Sequence, residues 1–109
     1  MFDVAKAEPK TGGMEKIKAM QVMSALSQPT RLKVYLLLID RLPEGMAAGE
    51  IAETTKSIPS GMSAHLAILS RAGLVKSRKV GRSVVYRADS AKGRQLIEFL
   101  EKVIPKAGV

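Results

Sequence analysis

The 109-residue sequence predicts a mainly helical α+β domain: four helices, a two-stranded hairpin, then a fifth helix. Three observations carry this prediction. Apolar residues recur at helical spacing in five separate stretches. The β-branched residues that favour strands cluster in "LVKSRK" and "SVVYRA", on either side of Gly81. The chain is 46% hydrophobic but only 4% aromatic, so it folds around a core that aliphatic side chains must build.

Residues 1–13, with Pro9, Gly12 and Gly13 among small and charged residues, read as a flexible tail. The domain is expected over 14–104, with a second short tail over 105–109. The first helix begins in "MEKIKAMQVMSAL", where Met14, Ile17, Met20, Met23 and Leu26 form a narrow stripe. Ser27 is a candidate cap for the second helix and Pro29 suits its first turn. In "TRLKVYLLLIDRL", Leu32, Leu36 and Ile39 share one face, with Val34, Leu37 and Leu38 around it, which predicts a central helix. Pro43 and Gly45 break the pattern, and "AGEIAETT" restarts it as a short helix with Ile51 and Ala52 inward.

After the connection "KSIPS", a fourth helix from about Ser60 places Met62, Leu66 and Leu69 on its core face, with Pro59 in its first turn. Gly73 ends it, where a left-handed residue is cheapest for glycine. Val80, Gly81 and Arg82 are read as the hairpin turn, and a last helix runs from about Ser90 to Ile104.

Charge is distributed unevenly. The formal net charge is +8, and no Asp or Glu occurs from Thr54 to Ala88. That block holds Lys56, Arg71, Lys76, Arg78, Lys79, Arg82 and Arg87, seven basic residues of 18; the other 11 nearly balance the 10 acidic ones. So one-sided a segment points to a polyanion as partner. Two short helices joined by a tight turn, followed at once by a basic hairpin, make a helix-turn-helix with a wing.

The stretches "ALSQPTRLKVYLLL", "GEIAE" and "MSAHLAILSRAGLVKSRKVGRSVVYR" resemble, in that order and spacing, the ArsR/SmtB family of winged helix-turn-helix transcriptional repressors, from about Met14 to Val103. The resemblance implies a homodimer joined through the first and last helices, bound to double-stranded DNA at a palindromic operator. It places Met14, Ile17 and Met20 in the dimer interface. The last helix supports this independently. Leu96, Ile97, Leu100 and Val103 cover one face, and Phe99 and Ile104 widen it beyond what one small core buries.

With Met62, Leu66 and Leu69 inward, Ser60, Gly61, Ser63 and Ala64 are left for a DNA groove, and His65 lies at the boundary as a packing or backbone-contacting residue. Serine discriminates weakly among base edges and alanine offers only a methyl contact, so this helix is a slender insert. The wing supplies Lys76, Arg78, Lys79 and Arg82 for phosphates or the minor groove, Arg82 foremost. Lys56 in the turn and Arg71 late in the helix are phosphate contacts or solvated charges.

Many members of the resembling family sense metals. Here the third-helix positions that would carry a Cys-x-Cys pair are Ala47 and Gly49, the chain has no cysteine, and its one histidine lies outside the last helix. Asp89, Glu98 and Glu101, without imidazole, would hold transition metals weakly, so no metal site and no cofactor are expected. An unknown small-molecule or protein effector, or control by abundance, is left open as the signal. Met14, Met20 and Met23 read as core filler, with a small pocket as the alternative.

No nucleophile with a base, carboxylate pair or glycine-rich phosphate loop can be nominated, so the chain is not read as an enzyme. The alternatives are a sequence-tolerant architectural or RNA-associated winged helix, and a protein-interaction module that has lost operator binding. No signal peptide or membrane-length apolar run is present, and a cytoplasmic, nucleoid-associated protein of a bacterium or archaeon is expected.

Overall fold

A computed structural model describes residues 14–107. The elements, in order, are α1 (Lys16–Leu26), α2 (Pro29–Asp40), β1 (Met46–Ala47), α3 (Ala48–Thr55), α4 (Pro59–Arg71), β2 (Val75–Val80), β3 (Ser83–Ala88) and α5 (Ser90–Val103). The five helices and the hairpin are those the sequence predicts, and β1 is an addition. It pairs antiparallel with β3, Met46 opposite Tyr86 and Ala47 opposite Val85, so the sheet has three strands in the order β1-β3-β2. Two residues are too short for a periodic signal. Gly45 admits them to the sheet: its φ is +81°, and a Cβ there would stand 2.5 Å from the Tyr86 carbonyl oxygen.

The core is continuous through all the helices but α5. Leu38 of α2, Ile51 of α3, Met62, Leu66 and Leu69 of α4, Leu74, and Val22 of α1 are fully buried. Each contributes roughly 1.5 to 3 kcal/mol by leaving water. The inward faces of α3 and α4 are the expected ones. Those of α1 and α2 are not. In α1 the buried residues are Ala19, Val22 and Ala25, whereas Ile17, Met20 and Met23 are exposed, so Met20 and Met23 are not core filler; Met14 is partly buried against the core. Alanines let α1 approach closely, which turns its long apolar side chains outward. In α2, Val34, Tyr35 and Leu38 are buried while Leu32 and Leu36 are exposed. That helix is apolar nearly all round, so periodicity alone does not select its inward face.

Helix ends follow local chemistry. Gln28, not Ser27, caps α2, its side-chain oxygen accepting from the Arg31 N–H at 2.9 Å; the Ser27 hydroxyl instead closes α1 by donating to the Ser24 carbonyl. Pro29 occupies the first turn of α2 as expected. After α4, Gly73 (φ +81°) donates to the Ser70 carbonyl and Leu74 to that of Leu69, the paired closure of a Schellman motif. The hairpin turn contains only Gly81 and Arg82, since Val80 pairs with Ser83 inside the ladder. Asp89 caps α5 through the Lys92 N–H.

Tyr35 joins the central helix to the start of α5. Its hydroxyl donates to the Asp89 carbonyl at 2.9 Å, and burial pushes its pKa above the ordinary 10.0. Gly93 makes the room, because a Cβ there would stand 2.6 Å from the Tyr35 hydroxyl oxygen. Alanine in a helix gains up to about 1 kcal/mol over glycine, whereas overpacking costs about 1 to 3 kcal/mol. Gly93→Ala is therefore expected to destabilise the protein by about 1 to 2 kcal/mol in denaturant unfolding, and to be neutral or stabilising when combined with Tyr35→Phe.

Candidate nucleic-acid interface

The pair α3 and α4 is joined by Lys56, Ser57 and Ile58. Lys56 takes the left-handed conformation (φ 56°, ψ 43°) that usually falls to glycine. Its N–H donates to the Glu53 carbonyl, and the Ser57 N–H to that of Ala52 at 2.8 Å. Beneath the turn, the buried Thr55 hydroxyl lies 2.8 Å from both the Ile51 carbonyl and the Ser57 hydroxyl. The fold thus holds a lysine in a strained turn and leaves its side chain exposed.

Burial of Met62, Leu66 and Leu69 turns the opposite side of α4 outward. Ser60, Ser63, Ala64 and Ala67 are exposed there, and Gly61 and His65 are half-buried on one flank. An added Cβ at Gly61 would meet nothing within 4 Å. The fold does not require glycine at this position. Arg71 is exposed in the last turn of α4, roughly 16 Å along the axis from Ser60, and lines a cleft of about 540 Å³ with Met20, Gln21 and Ser24 of α1. It is separated from the small residues at the other end of the helix.

The hairpin sorts its charges by face. Val75 and Ala88 are paired and buried, so the alternation places Ser77, Lys79, Val84 and Tyr86 on the core side, with Lys79 and Val84 exposed where the hairpin runs past the core. Lys76 (opposite Arg87) and Arg78 (opposite Val85) share the outer face. Lys76 is at the base, its ammonium 3.5 Å from the Asp89 carboxylate. Arg87 donates to the Pro43 carbonyl at 3.3 Å. Arg82 follows Gly81 (φ +62°) at the exposed tip. Arg78, Lys79 and Arg82 therefore spread over two faces and the tip, an arrangement that follows a phosphate backbone better than it binds one compact anion.

Two basic residues at this surface are not among the DNA contacts expected from the sequence. One is Arg87, which the strand register adds to the outer face. The other is Arg31 at the start of α2, whose Nη1 lies 3.5 Å from Nδ1 of His65. The two are 34 positions apart, so no spacing connects them. Among the described residues there is no group of three or more His, Cys, Asp or Glu placed to hold a metal ion. Nor, among them, is any helix long and apolar enough to cross a membrane.

Residues 26–78, which contain α2 to α4 and the start of the wing, match the family model of a helix-turn-helix domain. The transcriptional activator HlyU of Vibrio cholerae is 32% identical over 96 residues, spanning 86% of each chain. The solved ArsR-like transcriptional regulator from Rhodococcus sp. RHA1 superimposes with a TM-score of 0.70 at 30% identity, covering 80% of this chain and 79% of that one. The homodimeric winged helix-turn-helix DNA-binding domain of a possible ArsR-family regulator from Mycobacterium bovis gives a TM-score of 0.67 at 25% identity, over 94% and 86% of the two chains.

Gly61 tests whether α4 works at close range. Gly61→Ala is expected to raise folding stability by up to about 1 kcal/mol in thermal or denaturant unfolding. If α4 enters a groove at this face, the same change is expected to weaken duplex binding at least several-fold in a fluorescence-anisotropy titration, because the new methyl group would stand between backbone and duplex.

Proposed function

The chain belongs to the ArsR/SmtB family of winged helix-turn-helix transcriptional regulators and is itself a DNA-binding transcriptional regulator, and from that premise we propose that it represses as a homodimer seated on a palindromic operator. The observation that carries this reading is the acid-free block Thr54–Ala88, which contains the whole of α4 and the wing. Ser60, Gly61, Ser63 and Ala64 face a major groove with His65 on its flank towards the backbone, and Arg78, Lys79 and Arg82 follow the phosphates and adjacent minor groove. Lys56 and Arg71 contact phosphates near the two ends of the inserted helix, and Lys76 supports the base of the wing.

Dimerisation supplies the second half-site. No residue of α5 is fully buried, and Ile97 and Val103 are 45% and 52% exposed. Ile17 and Met20 of α1 are 68% and 57% exposed. A second copy covers these residues together with Leu96, Phe99 and Leu100, each part-buried within one chain, and with Met14 at its edge. The M. bovis relative is homodimeric. Two-fold symmetry then sets the two α4 helices about one helical turn of DNA apart, roughly 34 to 36 Å.

Repression follows from occupancy of the promoter by the dimer. A second reading, activation, is favoured by one observation: the V. cholerae relative is a transcriptional activator. A promoter-reporter fusion in cells with and without the protein separates the two by the sign of the change.

Operator binding is checked by competition at 150 mM salt. A genomic fragment carrying the operator is expected to resist excess unrelated duplex by about 10³-fold or more. Equal displacement from every fragment would instead identify a sequence-tolerant binder. Arg82→Ala and Lys79→Ala are each expected to weaken binding and to make the log K against log salt slope shallower by about 0.9 for each phosphate left without its cation. Unchanged binding in both would remove the wing from the interface. For the dimer, Ile97→Glu is expected to shift sedimentation from two copies to one while helical circular dichroism is retained, with operator affinity falling in parallel.

A further inference from the structure

Resting on the operator-binding reading, we propose that Arg31 and His65 form a two-residue clamp for one backbone phosphate of the bound duplex, on the flank of α4 that carries Gly61. Arg31 lies outside the acid-free block and belongs to α2, a helix otherwise occupied with the core. Its side chain is nevertheless directed towards α4. Nε donates to the Ala25 carbonyl at 2.7 Å, which anchors the guanidinium at the end of α1. Nη1 lies 3.5 Å from Nδ1 of His65.

An arginine has donors only, so a hydrogen bond in this pair requires Nδ1 of His65 to accept, the tautomer that carries its ring proton on Nε2. Both side chains then present N–H groups and no acceptor. Of the five guanidinium N–H groups, one is taken by Ala25 and one by His65, leaving three. The ion pairs among the described residues are Arg41–Asp40 and Lys76–Asp89, so no described carboxylate is paired with Arg31. A half-buried guanidinium with no carboxylate partner among the described residues differs from the exposed charges Arg78, Lys79 and Arg82 of the wing. It favours an anion whose oxygens match its planar fork, and at a DNA-binding surface that anion is phosphate.

The space beside the pair is open. Gly61 precedes His65 by one helical turn on the same flank, and a Cβ there would meet nothing within 4 Å. A phosphate seated here would anchor α4 at mid-length, between the turn lysine, Lys56, and Arg71 in its last turn.

The test uses the full-length protein and a duplex selected by it from a random-sequence pool, with single phosphates replaced one at a time by neutral methylphosphonate. The wild type is expected to lose about tenfold in affinity at one additional position per half-site, where Arg31→Gln and His65→Ala lose nothing further while keeping their sensitivity elsewhere. The salt slope of each variant is expected to be shallower, by about 0.9 per half-site for Arg31→Gln. Because Arg31→Gln also removes the bond to Ala25, His65→Ala, which leaves that bond in place, carries the test if the first variant unfolds. Combined, the two substitutions cost less than the sum of their separate effects. If both variants keep the wild-type profile at every phosphate, Arg31 is only a strut between α1 and α4 and the clamp is overturned. A wild-type protein that selects no duplex from the pool overturns the operator reading and the clamp together.

Discussion

The packing of one side of α4 against the rest of the core is the constraint on which everything else depends. Met62, Leu66 and Leu69 meet Ile51 of α3 and Leu38 of α2 with essentially no solvent exposure. Truncating any one of the leucines to alanine would cost about 2 to 5 kcal/mol, a large share of what a domain of this size has in total. The rotation of α4 about its own axis is therefore not adjustable. It is this rotation, rather than any polar interaction, that turns Ser60, Ser63 and Ala64 outward and sets His65 beside Arg31.

Such a helix has little chemistry with which to read bases. Its outward residues are small, and serine discriminates poorly. What it offers is slenderness, with a glycine where the fold has room for a side chain. On the proposed reading, the surrounding charges compensate by fixing the position of the helix on the duplex. The tip arginine is carried by a tight two-residue turn, the turn lysine is held in a left-handed conformation, and the wing charges are divided between two faces by strand alternation. Specificity on that reading rests on groove shape and on where phosphates can lie as much as on base edges.

The same economy operates at the other end of the molecule. Alanines at 19 and 25 let α1 approach the core closely, and Gly93 lets Tyr35 reach the Asp89 carbonyl. Close packing by small residues leaves the larger apolar side chains of α1 and α5 at the surface, where a second copy can cover them. One core cannot enclose them all, because a short chain buries a smaller fraction of its surface than a long one does.

Local patterns alone determined the order of the five helices and the hairpin, the inward faces of α3 and α4, the glycine closure at Gly73, and the basic block that identifies a polyanion partner. Each of these depends on neighbours within a few positions, where periodicity and turn chemistry act directly. Only the tertiary structure decided which face of α1 and α2 turns inward, because both helices carry apolar residues on more than one side and the choice falls to what packs against them. It also decided β1, whose two residues form a strand only because Tyr86 and Val85 lie opposite. The contact of Arg31 with His65 belongs to the same class, since it joins two helices 34 positions apart through side chains alone. Sequence pattern is a record of local periodicity, and a contact between distant elements leaves no period to read.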